Sequence, residues 1–103
     1  MARDWTFLTN HAHVLVAIAR DPELRLRDIA GQVGITERAA QGIVRDLVEH
    51  GYLARERVGR RNRYELDKTL PMRHPLEAEH RVGVLVEPLR HATPTRSSPA
   101  ASS

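Results

Sequence analysis

The chain has 103 residues, 41% of them apolar but only 4% aromatic, with a formal net charge of +3 and no cysteine. That length makes one small domain whose core must come from Val, Leu, Ile and Ala. The missing cysteines exclude disulfides, thiol chemistry and Cys-ligated zinc. No secretory leader is visible at MARDWTFLTN, and no apolar run approaches the ~20 residues of a transmembrane helix. The expectation is a soluble, cytoplasmic protein without membrane contact.

Asn10 or Thr9 is placed to cap a first helix reaching about Arg20, with Ala12, Val14, Leu15, Ile18 and Ala19 as its apolar stripe. Asp21-Pro22 ends it, because proline disfavours helix in the residue before it. Leu24-Arg25-Leu26 suits either a very short strand or the approach to the next helix. That second helix runs from Arg27 to about Val33 and stops at Gly34, a residue suited to the left-handed conformation of a helix end. Thr36 caps a third helix of about fourteen residues that closes at Gly51. Its Ala40, Ile43, Val44, Leu47 and Val48 follow the three-four spacing of a buried stripe. Glu37, Arg38, Gln41, Arg45 and Glu49 lie on the other side.

Tyr52-Leu53 begins a strand, residues 63–67 form its partner, and Gly59 supplies the turn, with Asn62 as a turn former. Tyr64 and Leu66, two apart, share the core-facing side. Pro71 and Pro75 punctuate a linker, and Pro75 suits the first turn of a helix over residues 76–87. Ala78, Val82, Leu85 and Val86 form the apolar side of that helix, and Pro88 ends or kinks it. Residues 92–103 lack apolar periodicity, which predicts a disordered tail.

Charge is localised. Residues 36–63 hold seven basic side chains against four acidic ones, so the whole excess lies in the third helix and the hairpin. Such a patch is the footprint of a surface that meets phosphates. Gly42 is a further clue, since glycine inside a helix costs about 1 kcal/mol relative to alanine. Close approach of a DNA backbone and simple tolerance both account for it.

Ala30 and Gly34 sit four apart, where two crossing helices need a small residue and a tight turn. LRDIAGQVGITERAAQGIVRDLVEHG, followed by YL and GRRNRYEL, resembles the winged helix-turn-helix regulators of the MarR and ArsR type over about residues 9–67. The fold that this implies is mainly α with a small β-hairpin: a three-helix core plus wing over 9–68, a C-terminal dimerisation helix over 75–91 and the tail. The function it implies is a sequence-specific double-stranded DNA-binding transcriptional regulator, a homodimeric repressor on inverted repeats, often released by a small-molecule effector. The recognition helix, residues 36–50, would enter the major groove with Glu37, Arg38, Gln41 and Arg45 reading bases. Thr36, with the wing residues Arg55, Arg57, Arg60, Arg61 and Arg63, would meet the DNA backbone or the minor groove. Ala78, Val82, Leu85 and Val86 would form the dimer contact, with help from the first helix and from Trp5 and Phe7. The wing lacks the Asp-x-Arg signature of MarR proteins, and the chain lacks their long flanking helices and the ArsR cysteine motif.

Two other functions compete. His74, Glu77, His80, Glu87 and His91 cluster on or near the last helix, and His11-x-His13 is another pair, as in a metal-responsive regulator. No three-ligand spacing emerges, so no metal or other cofactor is assigned. A winged helix used only for protein contacts is the second competitor. Catalysis is not expected: Ser97, Ser98 and Ser102 lie in the tail, and no nucleophile-base pair or phosphate-binding glycine loop occurs.

Overall fold

Two threonine hydroxyls open the first and third helices. Thr9 Oγ1 accepts from the Ala12 N–H at 3.3 Å, and Thr36 Oγ1 from the Ala39 N–H at 3.0 Å. Each satisfies an N–H that the first helical turn leaves without a partner. A computed structural model describes residues 5–90. Its elements in chain order are α1 (Asn10–Arg20), α2 (Leu26–Val33), α3 (Glu37–Glu49), β1 (Leu53–Val58), β2 (Arg61–Leu66) and α4 (Val82–Arg90). The predicted tail and His91 lie outside the described residues.

The first three helices follow the sequence expectation to within a residue or two. Thr9, not Asn10, is the cap of α1, and Leu24-Arg25 leads into α2 without forming a strand. α2 ends where Gly34 takes φ +88°, and the Ala30 carbonyl accepts from both the Gly34 N–H (2.8 Å) and the Ile35 N–H (3.0 Å). The reversal sends α3 back across α2 with Ile29, Ala30, Ala40 and Val44 buried between them.

β1 and β2 pair antiparallel from Leu53↔Leu66 to Val58↔Arg61, leaving Gly59-Arg60 as a two-residue turn. Gly59 holds φ +63°, while no described non-glycine residue has positive φ. That is the pattern of a type II′ hairpin, with glycine first. β2 therefore starts two residues earlier than predicted, and Asn62 pairs with Arg57 in the strand instead of forming the turn. Leu53 and Tyr64 are buried and Leu66 is half-buried against the same core. β2 is tied to the body by the Tyr64 N–H donating to the Pro22 carbonyl at 2.9 Å.

α4 departs most from expectation. The helix predicted over 76–87 begins only at Val82, and residues 74–80 form successive turns. Within them, the Leu76 N–H donates to His74 Nδ1 (3.0 Å), the Glu77 N–H to the His74 carbonyl (2.8 Å) and the His80 N–H to the Glu77 carbonyl (2.8 Å). The helix starts later because its first N–H groups find distant carbonyls: Val82 donates to Leu70 (2.7 Å) and Gly83 to Lys68 (3.0 Å). Pro71 and Arg81 form an antiparallel bridge beside them, and the Tyr52 hydroxyl donates to the Pro71 carbonyl. At the other end, Arg20 Nε of α1 donates to the Leu89 carbonyl at 3.0 Å. Val82 and Val86 thereby join Val14, Leu15 and Ile18 in the core. Pro88 lies inside the helix, two residues from its end.

Gly83 is where this docking is tightest. A Cβ there would lie 2.9 Å from Lys68 Cβ and 3.0 Å from the Lys68 carbonyl oxygen. Gly83→Ala is expected to destabilise the fold by about 1–3 kcal/mol, as overpacking does, despite the better helix propensity of alanine. Urea unfolding monitored by circular dichroism checks this; an unchanged midpoint would mean that α4 is not seated as described.

Candidate nucleic-acid interface

Burial of one side of α3 decides what its other side presents. Ala40, Val44 and Leu47 face the core, so Thr36, Glu37, Arg38, Gln41 and Arg45 are all exposed. Among the described residues, the side chains of Glu37, Arg38, Gln41 and Arg45 make no hydrogen bond or ion pair, whereas the Thr36 hydroxyl is engaged as the helix cap. The recognition surface expected from sequence is therefore brought together on one helix face and left open.

The wing is more selective than the sequence implied. Residues opposite each other in an antiparallel pair share a face, so Arg55 and Arg57 lie with Tyr64 and Asn62, and Arg61 and Arg63 with Val58 and Glu56. Arg61 Nη2 donates to the Glu23 carbonyl at 3.0 Å, and Arg63 Nη1 pairs with Glu23 Oε2 at 3.3 Å. Those two arginines anchor the wing to the α1–α2 loop. Arg55 and Arg60 have no partner among the described residues, and Arg57 makes only a long contact, 3.4 Å, to the Gly59 carbonyl in its own turn. Glu23 was not legible as a wing partner, because it stands 38 and 40 positions away.

A second contact that the sequence did not single out joins α1 to α3. His11 Nε2 lies 3.0 Å from Asp46 Oδ2, and His50 Nδ1 lies 2.9 Å from the Asp46 carbonyl. The hydrogen bond from His11 holds the Asp46 carboxyl below the usual carboxylate range, with Arg45 and His50 adding favourable charge. These groups rim an apolar groove of about 470 Å³ lined by Phe7, Leu15, Leu47, Met72 and Leu85.

The four residues of the expected dimer stripe do not share one helix face. Val82 and Val86 are buried in their own domain, Ala78 is exposed in the turn segment before α4, and Leu85 is half-buried at the groove. Its premise, a helix over 76–87, fails with the late start of α4. Trp5 and Phe7 pack edge to face, ring centroids 4.9 Å apart, and are 69% and 91% exposed. The described members of the histidine cluster do not converge. Glu87 is bonded to Lys68 and, at 3.5 Å, to Arg90, and the His74 ring accepts from its own turn. No group of three potential ligands converges among the described residues.

The MarR family profile matches residues 6–63, more than half of the chain and the whole of the helix-turn-helix with most of the wing. The chain belongs to the MarR family. Its four helices with a two-stranded hairpin agree with the winged-helix fold of that family. The match ends within β2, so α4 lies beyond the shared MarR segment. No curated protein matches the chain. Among solved structures, a MarR family protein of Mycobacterium tuberculosis in complex with salicylic acid is similar at 25% identity and a TM-score of 0.49. The similarity covers 58% of this chain and 47% of that protein, so the chain matches about half the length of that relative.

Because the folded value of Asp46 is depressed, its contribution to stability is present above the unfolded carboxylate value of about 3.9 and lost as pH falls through the folded value. His11→Ala is expected to return the Asp46 titration, followed by carboxyl-carbon NMR, to the ordinary range. An unmoved midpoint would mean that His11 is not its partner.

Proposed function

We propose that the chain is a sequence-specific DNA-binding regulator that acts as a homodimer and, as its resemblance to MarR repressors implies, represses by occupying an operator. The observation that supports this most directly is the open face of α3. Its Arg38, Gln41 and Arg45 are exposed and unpaired among the described residues, although the helix is otherwise held in the core. Arginine matches the paired acceptors of guanine and glutamine the donor and acceptor of adenine, and a major groove admits one helix. Glu37 is suited to the cytosine amine. Thr36 sits at the positive end of the helix dipole, a position suited to a phosphate.

On the wing, Arg55, Arg57 and Arg60 are the phosphate or minor-groove contacts in this reading. Arg61 and Arg63 add to the potential from their anchored positions. In this reading the dimer contact falls to the large apolar side chains left exposed outside the wing, Trp5, Phe7, Leu76, Val84 and Leu89.

Fluorescence anisotropy with a duplex from the gene's own upstream region, against a scrambled duplex at two salt concentrations, tests the reading. Salt-sensitive binding that favours the native duplex is the expected result. Arg57→Ala with Arg60→Ala should weaken binding to both duplexes and reduce the salt slope by about two. Gln41→Ala should instead lose about 1–3 kcal/mol of preference for the native duplex. If both variants bind like the parent, the surface is misassigned. Absence of binding at low salt would transfer the wing to an acidic protein partner. Sedimentation velocity checks the homodimer: a strictly monomeric boundary at micromolar concentration would remove it.

A further inference from the structure

Two glycines lie inside helices with nothing in the folded chain to require them. Gly31 in α2 and Gly42 in α3 both avoid positive φ, and a methyl group placed on either meets nothing within 4 Å beyond its chain neighbours and its own helical backbone. Alanine would fit at both. Glycine in a helix interior lowers the folding equilibrium about fivefold relative to alanine. Gly83 differs, since Lys68 occupies the space of its side chain.

The position of Gly42 on the helix distinguishes it from Gly31. With 3.6 residues per turn, Gly42 falls on the side opposite Ala40, Val44 and Leu47. Arg38 stands about one turn before it and Arg45 about one turn after it, both exposed and without partners among the described residues. On the side away from the core, the half-buried Gly42 therefore leaves a stretch of backbone without a side chain between two long cations. Helical N–H groups at that point are already bonded within the helix, so the bare stretch is no phosphate cradle. Its shape suits a flat surface that the helix must lie against, with the arginines reaching past it on either side.

We infer that Gly42 is the point of closest approach between α3 and the base edges of the major groove, and that its missing side chain determines operator specificity. The inference rests on the DNA-binding reading above. A methyl group there would stand off the helix by about one carbon–carbon bond, roughly 1.5 Å. Hydrogen bonds to base edges hold only over about 2.7–3.2 Å, so that displacement would break the paired contacts of Arg38 and Arg45 together. Long-range attraction to phosphates would scarcely change.

Gly42→Ala tests this, with Gly31→Ala as the matched control for helix stiffening. Both substitutions should raise Tm by about 4–8 °C, because each adds helix propensity in open space. Gly42→Ala should weaken binding to the native upstream duplex about tenfold or more, the scale of a lost base-pair match, and leave the scrambled duplex unaffected. Gly31→Ala should bind both duplexes like the parent. A stabilised Gly42→Ala that keeps full affinity for the native duplex would overturn the inference while leaving the DNA-binding reading intact. Equal weakening by both variants would also overturn it, pointing to helix stiffness as the cause. If the parent itself binds neither duplex at low salt, both the reading and the inference fall.

Discussion

One backbone carbonyl sets the geometry on which the rest of the molecule depends. The Ala30 oxygen closes α2 and receives the N–H groups of both Gly34 and Ile35. Only a residue without a side chain adopts φ +88° at little cost, so Gly34 makes that double acceptance available. The chain leaves the turn aimed so that Ala40 and Val44 meet Ile29 and Ala30. Once those four are buried, the rotation of α3 about its own axis is determined. The exposed side then has to be the one bearing Arg38, Gln41 and Arg45. Packing, not charge, selects the face that the solvent sees.

Features written in a few adjacent residues were legible from sequence. Thr9 and Thr36 cap because a hydroxyl two or three residues from an open N–H suffices. Gly34 and Gly59 turn because the chain needs left-handed backbone there. The start of α4 was not legible, because its first N–H groups are satisfied by Lys68 and Leu70, more than ten residues back. No capping side chain precedes Val82, and Pro75, which has the look of a helix start, sits in a series of turns. With the later start, Ala78 falls outside the helix and Val82 and Val86 turn inward. The site shows the same division: the open face of α3 follows from local periodicity, but the split among the wing arginines follows from hairpin register and from Glu23 across the fold.

Two groups of cations stand apart among the described residues. Arg20 and Lys68 hold α4 through the Leu89 carbonyl and the Glu87 carboxylate, and Arg61 and Arg63 hold the wing through Glu23. All of these contacts are at the surface, where an ion pair contributes little by itself. Their effect is geometric, limiting how the hairpin and the last helix can swing about the core. Arg38, Arg45, Arg55 and Arg60 have no such engagement among the described residues, so their charge is available to a partner. A net charge of only +3 thus understates the basic character of one side of the molecule.

The hairpin has one further property. Its sheet contains two strands, so β1 is an edge whose outward N–H and C=O groups have no strand to pair with. Such an edge is a template for another chain's backbone, and proteins blunt it with charge. Arg55, Glu56 and Arg57 put charge on both faces of β1 along that edge. A second copy approaching to extend the sheet would have to desolvate them. The wing that reaches outward is in this way guarded against the aggregation that its own open strand invites.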